Sequence, residues 1–186
     1  MMPPLERRSI VASWKIIIPE GEFLVEFEHG TTSGKRVLWI NGNEYLRKEW
    51  MFRLVGSENF RIGRYECKLD VEPDGTFGLL YLLSINGQDI GEFQEVNKKR
   101  WITWNVNSSE GKSDTILFEK DTMDVWFNGN KIDCEVQFID GGNQTQFSIN
   151  GTVGAIRSIS SGNKKVGMIH QFILGDEILQ PDTDSK

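Results

Sequence analysis

Apolar and polar residues alternate along most of the chain. Val25, Phe27 and His29 fall on one side of an extended segment, with Glu26 and Glu28 on the other. Runs rich in aromatic and β-branched residues recur at 35–40, 49–55, 65–71, 78–85, 101–106, 115–118, 125–127, 134–139, 145–149 and 166–174. Such side chains pack well on a pleated surface, so each run predicts a strand. Four Asn-Gly pairs separate the runs: Asn41-Gly42, Asn86-Gly87, Asn128-Gly129 and Asn150-Gly151, with Asp74-Gly75 as a further turn. Both residues tolerate the positive φ of a tight hairpin, so each pair predicts a chain reversal. No window shows a sustained helical period. The pattern predicts an all-β chain.

The turns expose an internal repeat. Trp39-Ile40-Asn41-Gly42-Asn43 recurs as Trp126-Phe127-Asn128-Gly129-Asn130, at an offset of 87. Phe52 matches Phe138 at 86, Phe60 matches Phe147 at 87, and Gly87-Gln88-Asp89-Ile90 matches Gly175-Asp176-Glu177-Ile178 at 88. Phe27-Glu28 matches Phe118-Glu119 at 91, so the first copy carries four extra residues in the loop that follows. A period this long suits whole domains. The expectation is two tandem antiparallel β-sandwich domains of related fold, residues 1–95 and 96–186, with the polar stretch 95–100 as linker.

Composition narrows the function classes. Hydrophobic residues make up 38% and mean hydropathy is −0.38, as expected of a soluble globular protein. Net charge is −6, the wrong sign for a general binder of nucleic acid. No apolar run approaches a membrane span, and the start of the chain lacks a signal-peptide pattern, so a cytoplasmic location without membrane insertion is expected. On that reading the sequons at Asn107, Asn143 and Asn150 carry no meaning, and Cys67 and Cys134 are free thiols.

Candidate chemistry is sparse. The run Gly30-Thr31-Thr32-Ser33-Gly34-Lys35 has three residues between its glycines where a phosphate loop has four, and Arg36 stands where that loop has Ser or Thr. A glycine-rich hairpin loop is the reading. His29 and His170 lack converging ligands and read as strand residues. Asp121 and Asp124 read as a solvated turn, and Lys98-Lys99-Arg100 and Lys164-Lys165 as solvated loops. No catalytic group, metal or cofactor is expected. Trp39 and Trp126, at equivalent repeat positions, suit the core, and core packing is the default for the remaining Trp too. Trp50, Trp101 and Trp104 are less constrained, and are the candidate anchors for a partner.

The strings Val25-Glu26-Phe27-Glu28-His29-Gly30-Thr31-Thr32-Ser33-Gly34-Lys35-Arg36-Val37 and Arg47-Lys48-Glu49-Trp50-Met51-Phe52-Arg53-Leu54-Val55-Gly56 resemble the Fas apoptotic inhibitory molecule family. Phe118-Glu119-Lys120-Asp121-Thr122-Met123-Asp124-Val125-Trp126, Ser160-Ser161-Gly162 and Gly167-Met168-Ile169-His170 are similar to that family's C-terminal half. The resemblance implies a cytosolic, non-enzymatic protein that protects cells from death-receptor-induced apoptosis. It also implies links to stress, to protein aggregation and to neurite growth signalling. The expected partners are other proteins, either apoptotic-signalling components or aggregation-prone clients, with homo-oligomerisation open. Two alternatives stand beside it: a carbohydrate- or peptide-binding sandwich using exposed Trp, and a hydrolase with a site assembled across loops.

Overall fold

The computed structural model describes residues 9–107, 113–179 and 181. The chain forms two compact units, the first built from residues up to 18 and 22–94, the second from 19–21 and the residues from 95 onward.

In the first unit, β1 (Ile10–Ile18), β2 (Gly21–His29), β3 (Arg36–Ile40) and β4 (Asn43–Lys48) form one sheet in chain order. A second sheet takes β5 (Gly56–Ile62), β6 (Tyr65–Asp74), β7 (Gly78–Ile85) and β8 (Gln88–Asp89), again in chain order and antiparallel. Alternation decides which side is buried. Tyr65, Cys67, Leu69 and Val71 of β6 face inward, while Glu66 and Lys68 face out. Ile16, Ile18, Val25, Phe27 and Leu38 of the first sheet are buried as well. The Phe27 and Tyr81 rings, one from each sheet, lie 5.8 Å apart.

The second unit repeats this plan. β9 (Trp101–Asn107), β10 (Ser113–Glu119), β11 (Asp124–Phe127) and β12 (Asn130–Ile132) make one antiparallel sheet. The facing sheet contains β13 (Cys134–Ile139), β14 (Gly142–Ile149), β15 (Thr152–Ser160), β16 (Met168–Leu174) and β17 (Glu177–Leu179). Ile102, Trp104, Ile116, Phe118 and Val125 from one sheet pack on Phe147, Ile149, Ile156 and Phe172 from the other. The chain is therefore an all-β tandem of sandwiches.

The repeat is visible in bonds as well as letters. The Trp39 indole N–H donates to Glu28 Oε1 at 3.1 Å, and the Trp126 N–H donates to Glu119 Oε2 at 3.1 Å. All four Asn-Gly pairs turn with positive φ at both residues, 47–50° at Asn and 76–81° at Gly. Asn is chosen over other residues for a second reason. Asn41 Oδ1 accepts the Leu24 N–H at 2.7 Å, and Asn128 Oδ1 accepts the Thr115 N–H at 2.8 Å. Each turn thereby ties off the strand beside it.

Four segments differ from expectation. Residues 95–100 continue a helix, α1 (Ile90–Arg100). Asp89 Oδ1 caps it through the Gly91 N–H at 2.8 Å, and Lys98, Lys99 and Arg100 sit in the last turn, where the helix dipole favours cations. Only Phe93 and Asn97 of this helix are buried, so its inward stripe left no apolar period to read. β1 and β5 form outside the runs expected as strands: Ser13 and Lys15 interrupt the apolar stretch of β1, and Ser57, Glu58, Asn59 and Arg61 leave few apolar positions in β5. Residues 49–55, expected as a strand, run as an irregular connection between β4 and β5.

Both histidines are tied into strand packing. His170 Nδ1 lies 2.8 Å from Ser158 Oγ, and its ring is 5.7 Å from Phe118. Burial first, and then the Lys120 charge, push its pKa down to about 4. His29 is lowered in the same sense by burial and by Arg36. As pH falls below about 6.5, unfolded chains bind protons at these positions that the folded chain still refuses. Stability should therefore be full above pH 6.5 and decline as pH falls toward 4. Melting temperatures across that window should drop less steeply in His170→Asn than in the parent, and parallel slopes would refute the assignment.

Candidate functional site

The connection 49–55 presents the chain's most exposed aromatic cluster. Trp50 is 75% exposed and Phe52 fully exposed, with Leu54 and Val55 about two-fifths exposed beside them. Water penalises such a display unless something is gained from it. The backbone beneath is held firmly. The Met51 N–H donates to Ser33 O at 3.0 Å, and Arg36 Nη2 donates to Leu54 O at 3.2 Å.

Gly34 makes the first attachment possible. Its φ is +68°, and a Cβ there would lie 2.0 Å from Met51 O. The glycine-rich loop between β2 and β3 thus serves as a cradle for the 49–55 backbone, and its second glycine is required by both backbone conformation and space.

The second attachment rests on buried charge. Arg36 is 1% exposed and donates from Nη1 to Glu58 Oε1 at 3.0 Å. Lys48 Nζ donates to the other oxygen of Glu58 at 2.7 Å. One carboxylate thus serves two cations brought from β3 and β4, and Arg36 passes its remaining reach to the connection. Glu58 gives the buried guanidinium the counter-charge that a buried ionic group requires, while the Arg36 Nε has no partner among the described residues.

The three anchors expected from sequence occupy three environments. Trp50 stands in the exposed connection. Trp101 opens β9, half-buried. Trp104 is 0% exposed and packs 5.6 Å from the Phe172 ring, so it has no surface for a partner in the folded unit. The position inside a strand decided this: Trp104 shares its face with Ile102, which also points to the core. Phe52 and Phe138 were visible only as a repeat match, yet both are highly exposed, Phe138 at 90%. Their shared position in the repeat was the available signal.

Other chemistry remains dispersed. Both cysteines are free, and burial raises the Cys67 thiol to about 11 and lifts Cys134 in the same direction. Among the described residues no three of His, Cys, Asp and Glu are arranged to hold a metal ion, and no helix is long and apolar enough to cross a membrane. The arrangement offers an apolar projection on a backbone held at Met51 and Leu54.

Comparison with known proteins agrees in one direction. A family model described as Fas apoptotic inhibitory molecule matches residues 10–182. Fas apoptotic inhibitory molecule 1 of Homo sapiens is 42% identical over 167 residues, covering 89% of this chain and 93% of the relative. The Mus musculus protein of that name is 41% identical over the same shares, and the Bos taurus one 41% identical over 89% of this chain and 83% of its own length.

Proposed function

The chain belongs to the Fas apoptotic inhibitory molecule family, and from that premise we propose that it restrains Fas-induced apoptosis and stress damage by binding other proteins. It acts in the cytoplasm and without catalysis, and aggregation-prone chains are among its clients. The observation that carries this reading is the connection 49–55. Trp50 and Phe52 are held out in water on a backbone fixed at Met51 and Leu54. Large, rigid aromatic side chains give much binding energy for little ordering entropy, and covering each contributes about 1.5–3 kcal/mol. Trp101 is a second anchor.

The test is light scattering by a heat-labile client without ATP. Intact protein is expected to suppress scattering in proportion to its concentration. Trp50→Ala and Phe52→Ala should weaken suppression while leaving the melting temperature within a degree or two, since neither side chain is buried. Unchanged scattering for several clients at several-fold excess of protein would overturn the client reading.

A further inference from the structure

Aligned on the repeat, the two units differ in one strand. β5 corresponds to β14 through Phe60 and Phe147. In the second unit β14 is covered by β13, whereas in the first unit β5 is the edge of its sheet. The residues equivalent to β13 are those of the 49–55 connection, by the offset of 86 that relates Phe52 to Phe138. They leave β5 open because the cradle at Ser33 and Gly34, part of the longer β2–β3 loop, and Arg36 hold them elsewhere.

The open edge has the parity needed for pairing. The Arg61 N–H donates to the Tyr45 hydroxyl at 3.4 Å, so it points away from β6. Antiparallel ladders alternate the direction of successive backbone groups, so Ser57 and Asn59 point the same way. At an offset of 87 these two residues are Gln144 and Gln146, which face Gln137 and Glu135 of β13 across the ladder. A cleft of about 540 Å³ begins at Tyr45, Asn59 and Arg61 and extends across β6 and β7 to Lys68 and Ser84, so it reaches the edge strand but does not follow the edge.

We propose that the β5 edge is a strand-addition site that accepts an extended segment of another polypeptide, antiparallel to β5, in the slot that β13 fills in the second unit. The occupant's pattern is read from β13. It alternates apolar residues, like Val136 and Phe138, with uncharged or singly charged polar ones, like Gln137 and Glu135. Main-chain bonds to Ser57 and Asn59 supply the affinity, since the side chains of β13 in the equivalent slot stay largely exposed. Tyr45 is the gate: its hydroxyl satisfies the Arg61 amide while the slot is empty, and its ring rests against Phe60 at 5.9 Å. β13 is engaged in its own ladder, so the chain's own β13 does not fill the slot. The site is distinct from the aromatic projection of 49–55, and the two can fail separately.

The probe is a fluorescent peptide of residues 133–140 carrying Cys134→Ser, titrated into the full-length protein by anisotropy. Hydrogen exchange is followed in parallel on unmodified protein. Saturable binding with new protection at Ser57 and Asn59 is expected. A control peptide with Val136→Pro and Gln137→Pro should not bind. Asn59→Pro removes one outward donor without touching the β6 ladder and should abolish binding. Tyr45→Phe frees the Arg61 amide and should tighten binding about two- to tenfold. Phe52→Ala should leave peptide binding intact even where it lowers suppression of client aggregation. No binding, binding indifferent to both variants, or protection confined to other strands overturns the proposal. So does concentration-dependent protection of β5 without peptide, accompanied by dimers in sedimentation, which would assign the slot to a second copy of this chain.

Discussion

Trp104→Ala is expected to destabilise the second unit by about 3–5 kcal/mol, the cost of emptying a large buried aromatic site. The side chain is wholly buried in a cluster with Ile102, Ile116 and Phe172, all carried on paired strands. A unit of this size has only about 5–10 kcal/mol in hand, so the loss is a large share of its stability. The indole N–H has no partner among the described residues. Trp104→Phe should therefore cost much less, because it removes a buried donor that earns nothing. We also propose that residues 1–95 and 96–186 are separate domains, and this variant reads that out. Hydrogen exchange in Trp104→Ala should rise across 96–186 while strands up to residue 95 keep their protection. Equal loss of protection in both halves would contradict the domain proposal, and a stability change under 1 kcal/mol would contradict the packing argument.

Glu58→Gln is the second large effect. It leaves the Arg36 guanidinium buried without a counter-charge and deprives Lys48 of its partner. Breaking a buried pair from one side costs about 3–5 kcal/mol, since the remaining charge stays desolvated. Denaturant titration should show a lower midpoint with an unchanged slope. The double variant Arg36→Met with Glu58→Leu should recover much of the loss, because no charge is then left in the interior. It also deletes the bond from Arg36 to Leu54 O, so its 49–55 connection is expected to suppress aggregation less well even with stability regained. A double variant as unstable as Glu58→Gln alone would show that the network does something other than balance charge.

Most of the strands could be read from the chain because their cause is local. A period of two places β6's Tyr65, Cys67, Leu69 and Val71 on one face whatever surrounds them, and Asn-Gly turns where only small or left-handed-tolerant residues fit. The tandem repeat was legible for the same reason, through Trp39 and Trp126 and their turns. The helix Ile90–Arg100 was not, since it turns only Phe93 and Asn97 inward, and a stripe of one aromatic and one amide leaves no apolar period.

The candidate site divides in the same way. That 49–55 and 134–139 can both form strands is a property of their own residues, and their equivalence follows from the repeat. Which of them pairs is a property of the surroundings. Residues 134–139 found β14, while 49–55 were caught at Met51 by Ser33 and Gly34 and at Leu54 by Arg36, side chains and turns up to eighteen positions away in the chain. Trp104 shares the core face of β9 with Ile102, whereas Trp50 lies in the connection that Ser33 and Arg36 hold out of any ladder. Local periodicity decides what a segment can become, because it acts through neighbours in sequence. Burial, buried charge pairing and open edges depend on which segments meet across the sandwich, and only the folded chain brings those together.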